Sequence, residues 1–267
     1  MILDKIVEQK KLEVEALKEL YQGKNYQKLL TEVLPVRNFY QNLKEHSRTY
    51  PLAIIAEVKK ASPSKGIIKE DFDPIRTANE YASNAVAAIS VLTDSEFFKG
   101  SFEYLKAIRS EVNLPLLCKD FIISPYQIIH ARKHGADAIL LIAKILEKED
   151  IQSLYQFATD LGMDCLIEIH DGNDLDKALT LDAKIIGINN RDLDTFETHL
   201  RNTEKWIKHI PQHIIKISES GIDSKQDSQT VRKYGANGIL VGESLMRSNS
   251  IANKIKELRL EELMLNA

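Results

Sequence analysis

The 267-residue chain has little of what marks a secreted, membrane-spanning or nucleic-acid-binding protein. Cysteine is scarce: there are only Cys118 and Cys165, and both sit inside apolar runs. Two thiols in a chain this long make neither a disulfide framework nor a zinc signature. In such runs a free cysteine behaves as a small hydrophobe, and a reducing, cytoplasmic setting is expected. Long hydrophobic runs are also missing. No stretch reaches the roughly 18–20 apolar residues that a spanning helix needs, and the run at 138–146 is broken by Lys144. The opening Met1-Ile2-Leu3-Asp4-Lys5 lacks the apolar core of a secretory leader. Neither sign of charge is in excess: 36 Lys and Arg against 39 Asp and Glu leave a formal net charge of -3. No global field draws nucleic acid, so neither nucleic acid nor a membrane is an expected partner, and any anion site must be local.

What the chain does have is a recurrent pattern. Six apolar runs end in polar or charged residues: Glu57-Val58-Lys59, Cys118-Lys119-Asp120, Glu168-Ile169-His170, Ile188-Asn189-Asn190-Arg191, Ser218-Glu219-Ser220-Gly221 and Val241-Gly242-Glu243-Ser244. A strand buried on both faces reads as a continuous Val/Ile/Leu run. Charge within it is costly unless paired or used. Charge gathered at the last residues of many such strands is the pattern of a (β/α)8 TIM barrel with its site at the C-terminal face. Strands are predicted at 52–59, 87–93, 115–120, 138–143, 164–169, 185–190, 214–219 and 238–242, separated by helical stretches, the last near 250–262. Asp73-Pro74 and Ser124-Pro125 read as helix starts, a cap followed by a first-turn proline. Gly135 and Gly235 read as left-handed helix ends. A composition of 43% hydrophobic and 28% charged residues suits one folded domain of this size. The expectation is a single α/β domain over 1–267, with a helical extension at 1–50 and the barrel at 51–267. Within the extension, Ile2, Ile6, Val7, Lys10 and Val14 with Leu3, Leu17 and Leu20 follow helical spacing and Gly23 stops the helix; further pieces are expected at 25–33 and 37–45, packed on the barrel.

Strand alternation selects which side chains share a face. Glu57 pairs with Lys59, Leu117 with Lys119, Leu166 with Glu168 and Gly187 with Asn189. If Lys119 and Glu168 both face the mouth, an acid and a base stand across one cleft, as general acid–base chemistry needs. The bland alternative is an ion-pair network plugging the barrel, although barrel interiors are mostly filled with Val, Ile and Leu. Loops after the last two strands of such barrels often hold phosphate on backbone N–H groups, which makes Ser220-Gly221 and Gly242-Glu243-Ser244 a candidate cradle. Glu243 is expected to turn its carboxylate away and offer only its N–H. Arg191, Lys59 and Lys60 could pair with a substrate carboxylate, arginine best because its fork is bidentate. Leu92, Phe98 and Phe121 offer apolar surface near the mouth. His170 is a weak candidate for substrate contact. His130, His134, His199, His209 and His213 have no partners at metal-ligand spacing.

These segments resemble a known family. Ile-Ile-Ala-Glu-Val-Lys-Lys-Ala-Ser-Pro-Ser-Lys-Gly at 54–66 is similar to the first-strand signature of indole-3-glycerol phosphate synthases of tryptophan biosynthesis. The resemblance continues through 90–94, 97–101, 118–122, 166–170, 186–193, 218–222 and 241–246, and takes in the N-terminal extension. It implies conversion of 1-(2-carboxyphenylamino)-1-deoxyribulose 5-phosphate to indole-3-glycerol phosphate with loss of carbon dioxide and water, without cofactor or metal. It implies Lys119 as general acid and Glu168 as second catalytic group, with Glu57 and Asn189 positioning and stabilising the intermediate. Lys59 and Ser62 match substrate contacts, and Arg191 and Glu219 lie in matching site motifs. Ser220, Gly221, Gly242 and the backbone at Glu243 match phosphate contacts. The only partner implied is a small phosphorylated substrate; a monomer is expected, with a weak dimer the alternative. Two rivals remain: a Schiff-base aldolase acting on a phosphorylated sugar, against which the Asn-Asn-Arg ending at 189–191 weighs, and a non-catalytic sugar-phosphate-binding barrel.

Overall fold

The apolar runs pair side by side as parallel strands because each can bury both of its faces: one inward, one beneath a helix. In the computed structural model, which describes residues 2–31, 33–193 and 195–261, three helices come first: α1 (Ile2–Tyr21), α2 (Tyr26–Leu30) and α3 (Phe39–Thr49). Strand β1 (Ala53–Val58) is followed by a small antiparallel hairpin, β2 (Ala61–Ser62) with β3 (Gly66–Ile67). The alternation continues through α4 (Pro74–Ser83), β4 (Ala88–Leu92), α5 (Phe102–Glu111), β5 (Leu116–Lys119), α6 (Pro125–Lys133) and β6 (Ala138–Ile142). Next come α7 (Lys148–Asp160), β7 (Asp164–Ile169), α8 (Gly172–Leu179), β8 (Ile185–Asn189) and α9 (Arg201–Ile207). The last elements are β9 (Ile215–Glu219), α10 (Lys225–Tyr234), β10 (Gly238–Val241), α11 (Glu243–Arg247) and α12 (Ile251–Arg259). Apart from the hairpin, the strands close in the order β1-β4-β5-β6-β7-β8-β9-β10, with β10 back on β1. This is the expected TIM barrel. No helix among the described residues is long and apolar enough to cross a membrane.

Local chemistry accounts for the helix ends. The side chain of Asp73 caps the Arg76 N–H with Pro74 in the first turn, and Ser124 caps α6 ahead of Pro125. Gly135 and Gly235 take φ of +96° and +108°, left-handed values that suit glycine. The element limits differ in detail. The piece expected at 37–45 runs to Thr49, and the one expected at 25–33 is a single short helix. The final helix ends at Arg259, and the end of its expected range lies outside the described residues. The hairpin has no counterpart in the reading of the sequence, because strands of two residues leave no periodic signal.

The barrel interior is layered. Ala53, Ile55, Leu117, Leu140, Leu166, Ile185, Ile217 and Leu240 fill its lower part. The other strand face, including Ile54, Ala56, Val58, Ile89, Val91 and Ile139, packs under the helices. Helix α3 closes the N-terminal end by inserting Phe39 and Leu43, both fully buried, into the interior layer. Burial of each contributes about 1.5–3 kcal/mol. Polar bonds hold this plug: Asn42 donates to Ala87 O, the Tyr40 N–H to Asp164 Oδ2 at 2.8 Å, and the Arg37 N–H to Asp137 Oδ1 at 2.7 Å. Asp137 also receives Arg109 Nη1 and the Leu116 N–H. With apolar side chains below and α3 beneath them, the next inward positions open only at the C-terminal rim. There the inward residues change from Leu and Ile to Glu57, Lys119, Glu168, Asn189 and Glu219.

Candidate active site

Neighbouring strands bring these side chains together. Lys119 Nζ, at the end of β5, lies 3.2 Å from Glu168 Oε2 on β7 and 3.5 Å from Glu219 Oε2 on β9. Lys59 Nζ, just past β1, is 2.6 Å from Glu57 Oε1. Asn189 on β8 donates to Glu168 Oε1 at 3.1 Å. His170 Nε2 stands 3.3 Å from the same Glu168 oxygen, and the His170 N–H donates to Asp174. The Glu57 and Glu168 carboxylates are almost entirely buried, whereas Lys119 keeps 16% of its side-chain surface open to the cavity.

The electrostatics divide the three carboxyls. Burial pushes Glu57 up, but Lys59, Lys119 and Arg191 outweigh it and hold it below the usual range. Burial likewise opposes ionisation of Glu168, yet Lys119, His170 and the Asn189 amide leave it depressed. Glu219 goes the other way. Burial dominates, Lys119 offsets only part of it, and Glu168 and Glu57 add repulsion, so its pKa stands at about 8. Neither Glu219 oxygen has a hydrogen-bond partner among the described residues, which fits a carboxyl that carries its proton at neutral pH. Lys119 is raised: burial alone would lower it, but the carboxylates around it prevail. It is therefore an ammonium at neutral pH, suited to giving a proton and poorly suited to Schiff-base nucleophilicity, which needs a depressed amine pKa.

The cavity above these groups has two lobes that share Glu57, Lys59, Ser64, Lys119, Arg191, Phe196 and Ser220. The larger, of about 510 Å³, runs over Ser220, Gly221, Gly242, Glu243 and Ser244. Ser220 and Gly221 both have positive φ, +65° and +75°, so the chain turns sharply there. A Cβ at 221 would also lie 2.4 Å from Thr198 Cγ2. Glu243 turns to Arg247 Nε at 3.0 Å, as expected of a carboxylate that leaves its N–H to the cavity. The smaller lobe, of about 90 Å³, is apolar, lined by Leu92, Phe98, Phe121, Leu140 and Ile142 beside Glu168 and Asn189. The Phe98 and Phe121 ring centroids are 6.0 Å apart.

Thus the residues read from the sequence as site candidates line one lobe or the other, save Ser62, Lys60 and His170. Ser62 is buried in the hairpin, whereas Ser64 and Lys65 from the same loop line the cavity. Lys60 lies over the Phe72 ring. His170 belongs to Glu168 more than to the cavity, a role that its place two residues beyond Glu168 on one strand face could have suggested. Of two other residues, Ser244 was read from the sequence only as part of the Gly242-Glu243-Ser244 strand end, and Asn190 was not singled out. The Ser244 hydroxyl is buried, lines the larger lobe and has no hydrogen-bond partner among the described residues. Asn190 ties β8 to β9, donating to Ser218 Oγ and Ser220 O and accepting from Thr203. Its turn signal was visible, but its partners lie on other elements.

A closed parallel barrel with an acid–base pair, a set of carboxylates and a glycine-bearing rim at the C-terminal ends of its strands is the architecture of an α/β-barrel enzyme. Solved structures agree on the fold. A thiamine phosphate pyrophosphorylase from Pyrococcus furiosus matches with a TM-score of 0.60 at 16% identity, covering 80% of this chain and 98% of that one. A 3-hexulose-6-phosphate synthase from Salmonella typhimurium matches with a TM-score of 0.64 at 13% identity, covering 80% and 99%. Sequence relatives are far closer. Indole-3-glycerol phosphate synthases from Acetivibrio thermocellus and Alkaliphilus metalliredigens are 47% and 46% identical, each over 97% of this chain and 99% and 98% of their own length. The indole-3-glycerol phosphate synthase family model matches residues 3–258. The chain belongs to the indole-3-glycerol phosphate synthase family, carboxy-lyases of tryptophan biosynthesis.

Proposed function

We propose that this chain closes the pyrrole ring of indole-3-glycerol phosphate from 1-(2-carboxyphenylamino)-1-deoxyribulose 5-phosphate, with Lys119 as general acid and Glu168 as general base. The observation that carries the reading is the 3.2 Å contact between Lys119 Nζ and Glu168 Oε2 at the junction of an apolar lobe and a backbone-lined one. The benzene ring occupies the lobe of Leu92, Phe98 and Phe121. The phosphate sits on the N–H groups after Ser220 and Gly242, with the Ser244 hydroxyl as a further donor. The substrate carboxylate meets Lys59 and Arg191, whose cationic heads line both lobes.

In this pose the ring carbon bearing the carboxylate attacks the ribulose C2 carbonyl. The carbonyl oxygen takes its proton from the Lys119 ammonium as the new carbon–carbon bond forms. Carbon dioxide then leaves from the same ring carbon, and its bonding electrons restore the aromatic ring. The C2 hydroxyl then leaves as water, taking its second proton from solvent in the open cavity, while Glu168 takes the proton released from C1 and the indole is complete; return of that proton from Glu168 to Lys119, 3.2 Å away, restores both groups. Asn189 holds the Glu168 carboxylate through its Oε1, and Glu57 keeps Lys59 in place. Glu219, protonated near neutral pH, presents a hydrogen-bond donor to the same space. All of these groups come from one chain, so a monomer suffices. Both cysteines are free and buried, which suits a reducing cytoplasm.

The test is direct. Purified protein given the substrate produces indole fluorescence, and Lys119→Ala abolishes it while the far-ultraviolet circular dichroism is kept. No product from the wild type overturns the reaction. Near-normal turnover by Lys119→Ala removes Lys119 as the acid.

A further inference from the structure

Lys10 takes no part in the reaction just described, yet it is one of the most completely buried charges in the protein, with 1% of its side chain exposed. It comes from α1, on the helix face that also buries Leu3, Ile6 and Val14. Its ammonium lies 2.9 Å from Asp94 Oδ2, 2.8 Å from Asp120 Oδ1 and 2.8 Å from Glu13 Oε2. We infer that Lys10 is a positioning residue for the aromatic wall of the active site: it clasps the loops after β4 and β5 to each other and so sets the separation of Phe98 and Phe121. The assignment of that wall to the substrate ring is the reading of the preceding section.

Two of the carboxylates held by Lys10, Asp94 and Asp120, in turn fix the aromatic residues of the wall. Asp94 Oδ1 accepts from the N–H groups of Phe97 and Phe98 at 2.7 and 3.1 Å. Asp120 Oδ1 accepts from the Phe121 N–H at 2.8 Å, and its Oδ2 accepts from the Thr93 hydroxyl. Asp120 is also the residue after Lys119. One cation from outside the barrel therefore joins both edges of the apolar lobe. Burial by itself would discharge Lys10, but Asp120 and Asp94 more than offset it, and its pKa is raised; the clasp stays charged at working pH. Without it, Asp94 and Asp120 would be two buried like charges sharing no counter-ion, and such a pair relaxes by moving apart or taking up water. The N-terminal helix thus acts on ring binding from a distance, while the phosphate cradle on β9 and β10 lies outside its reach.

The experiment uses the full-length chain carrying Lys10→Met, and Lys10→Met combined with Asp94→Asn. The amide that replaces Asp94 still offers an oxygen to the Phe97 and Phe98 N–H groups and removes one of the two stranded charges. It should restore stability without restoring the clasp. KM and kcat for the substrate are measured beside the competitive inhibition constant of inorganic phosphate. The expected result for both variants is a KM raised about tenfold, roughly 1.4 kcal/mol of lost binding, with a smaller change in kcat and the phosphate constant within about twofold of wild type. The melting temperature falls in the single variant and recovers in the double one. If the single variant does not fold, the double variant carries the test alone. A wild-type KM in the double variant, or a phosphate constant that rises in parallel with KM, overturns the proposal. Absence of wild-type turnover would count instead against the reaction, so the two failures are distinct.

Discussion

Gly187 and Glu219 stand on adjacent strands with no room for a side chain between them. A Cβ at 187 would lie 2.0 Å from Glu219 Oε1 and 3.1 Å from its Cδ. The same holds at Gly242, where a Cβ would come within 2.5 Å of Glu57 Oε1 and 3.1 Å of Glu57 Cβ. Gly242 has φ of -123°, outside the left-handed region, and the close approach of Glu57 leaves no space there for a side chain. These two bare positions let three carboxyls share the barrel mouth with Lys119.

Gly187→Ala follows from that contact. The added methyl must displace the Glu219 carboxyl, a buried group with Leu166 Cδ1 3.3 Å from the same methyl. A displacement near 1 Å among reacting groups costs about a hundredfold in rate. We expect kcat to fall by between about tenfold and a hundredfold in a protein that still folds. Steady-state assays by indole fluorescence check this, and unchanged kcat would show that the Glu219 position is immaterial.

Glu168→Gln keeps the shape of the side chain and its bond from Asn189 but cannot accept a proton. Removal of a general base costs about 10²–10⁴-fold. The loss should fall in kcat, with KM changed little, since the proposed ring and phosphate contacts lie on other residues. Single-turnover kinetics across pH check the assignment. A variant with wild-type kcat would exclude Glu168 as the base.

Glu219→Gln has a pH-dependent effect on stability whose sign is fixed. In the folded chain the carboxyl stays protonated to about pH 8, against an ordinary 4.5. Below the ordinary value both states hold the proton, and the neutral form's contribution is fully present. Between the two values the unfolded chain has lost the proton that the folded chain keeps, so raising pH favours unfolding. The amide does not titrate. Relative to wild type, Glu219→Gln should therefore gain in melting temperature from pH 5 to pH 8. Melting curves at the two pH values decide it: a difference that does not grow with pH refutes the raised pKa.

Asp137→Ala addresses the opposite end of the barrel. It removes the acceptor for the Arg37 and Leu116 N–H groups and for Arg109, whose Nη1 lies 2.6 Å from Asp137 Oδ2 in a fully buried pair. Breaking a buried pair from one side costs about 3–5 kcal/mol. Urea unfolding should show a loss of that order, with kcat unchanged where the variant is folded.

Much of this was legible in the residues. A strand sandwiched between side chains and helices must be apolar on both faces, so the barrel strands appear as uninterrupted Val/Ile/Leu runs whose limits agree with the structure to within one or two residues. Alternation then put Glu57 on one face with Lys59, Lys119 with Leu117, Glu168 with Leu166 and Asn189 with Gly187, and closure of the barrel turned those faces inward. Lys10 shows where such reading stops. Its spacing marks it as a core-facing helix position, but nothing near it in the chain indicates that Asp94 and Asp120 close around it. The same limit applies to His170, whose bond to Glu168 rather than to substrate comes from the fold.

The order of residues along the chain by itself determined the fold, the number of barrel strands and which rim residues share a strand face, because burial on two sides and a period of two residues act locally. Tertiary structure alone decided which rim residues touch. Closure of the barrel sets the stagger between strands. That stagger brings Lys119 within reach of both Glu168 and Glu219 and leaves Glu219 buried beside other carboxylates. It also brings α1 and Lys10 against the loops that carry Phe98 and Phe121.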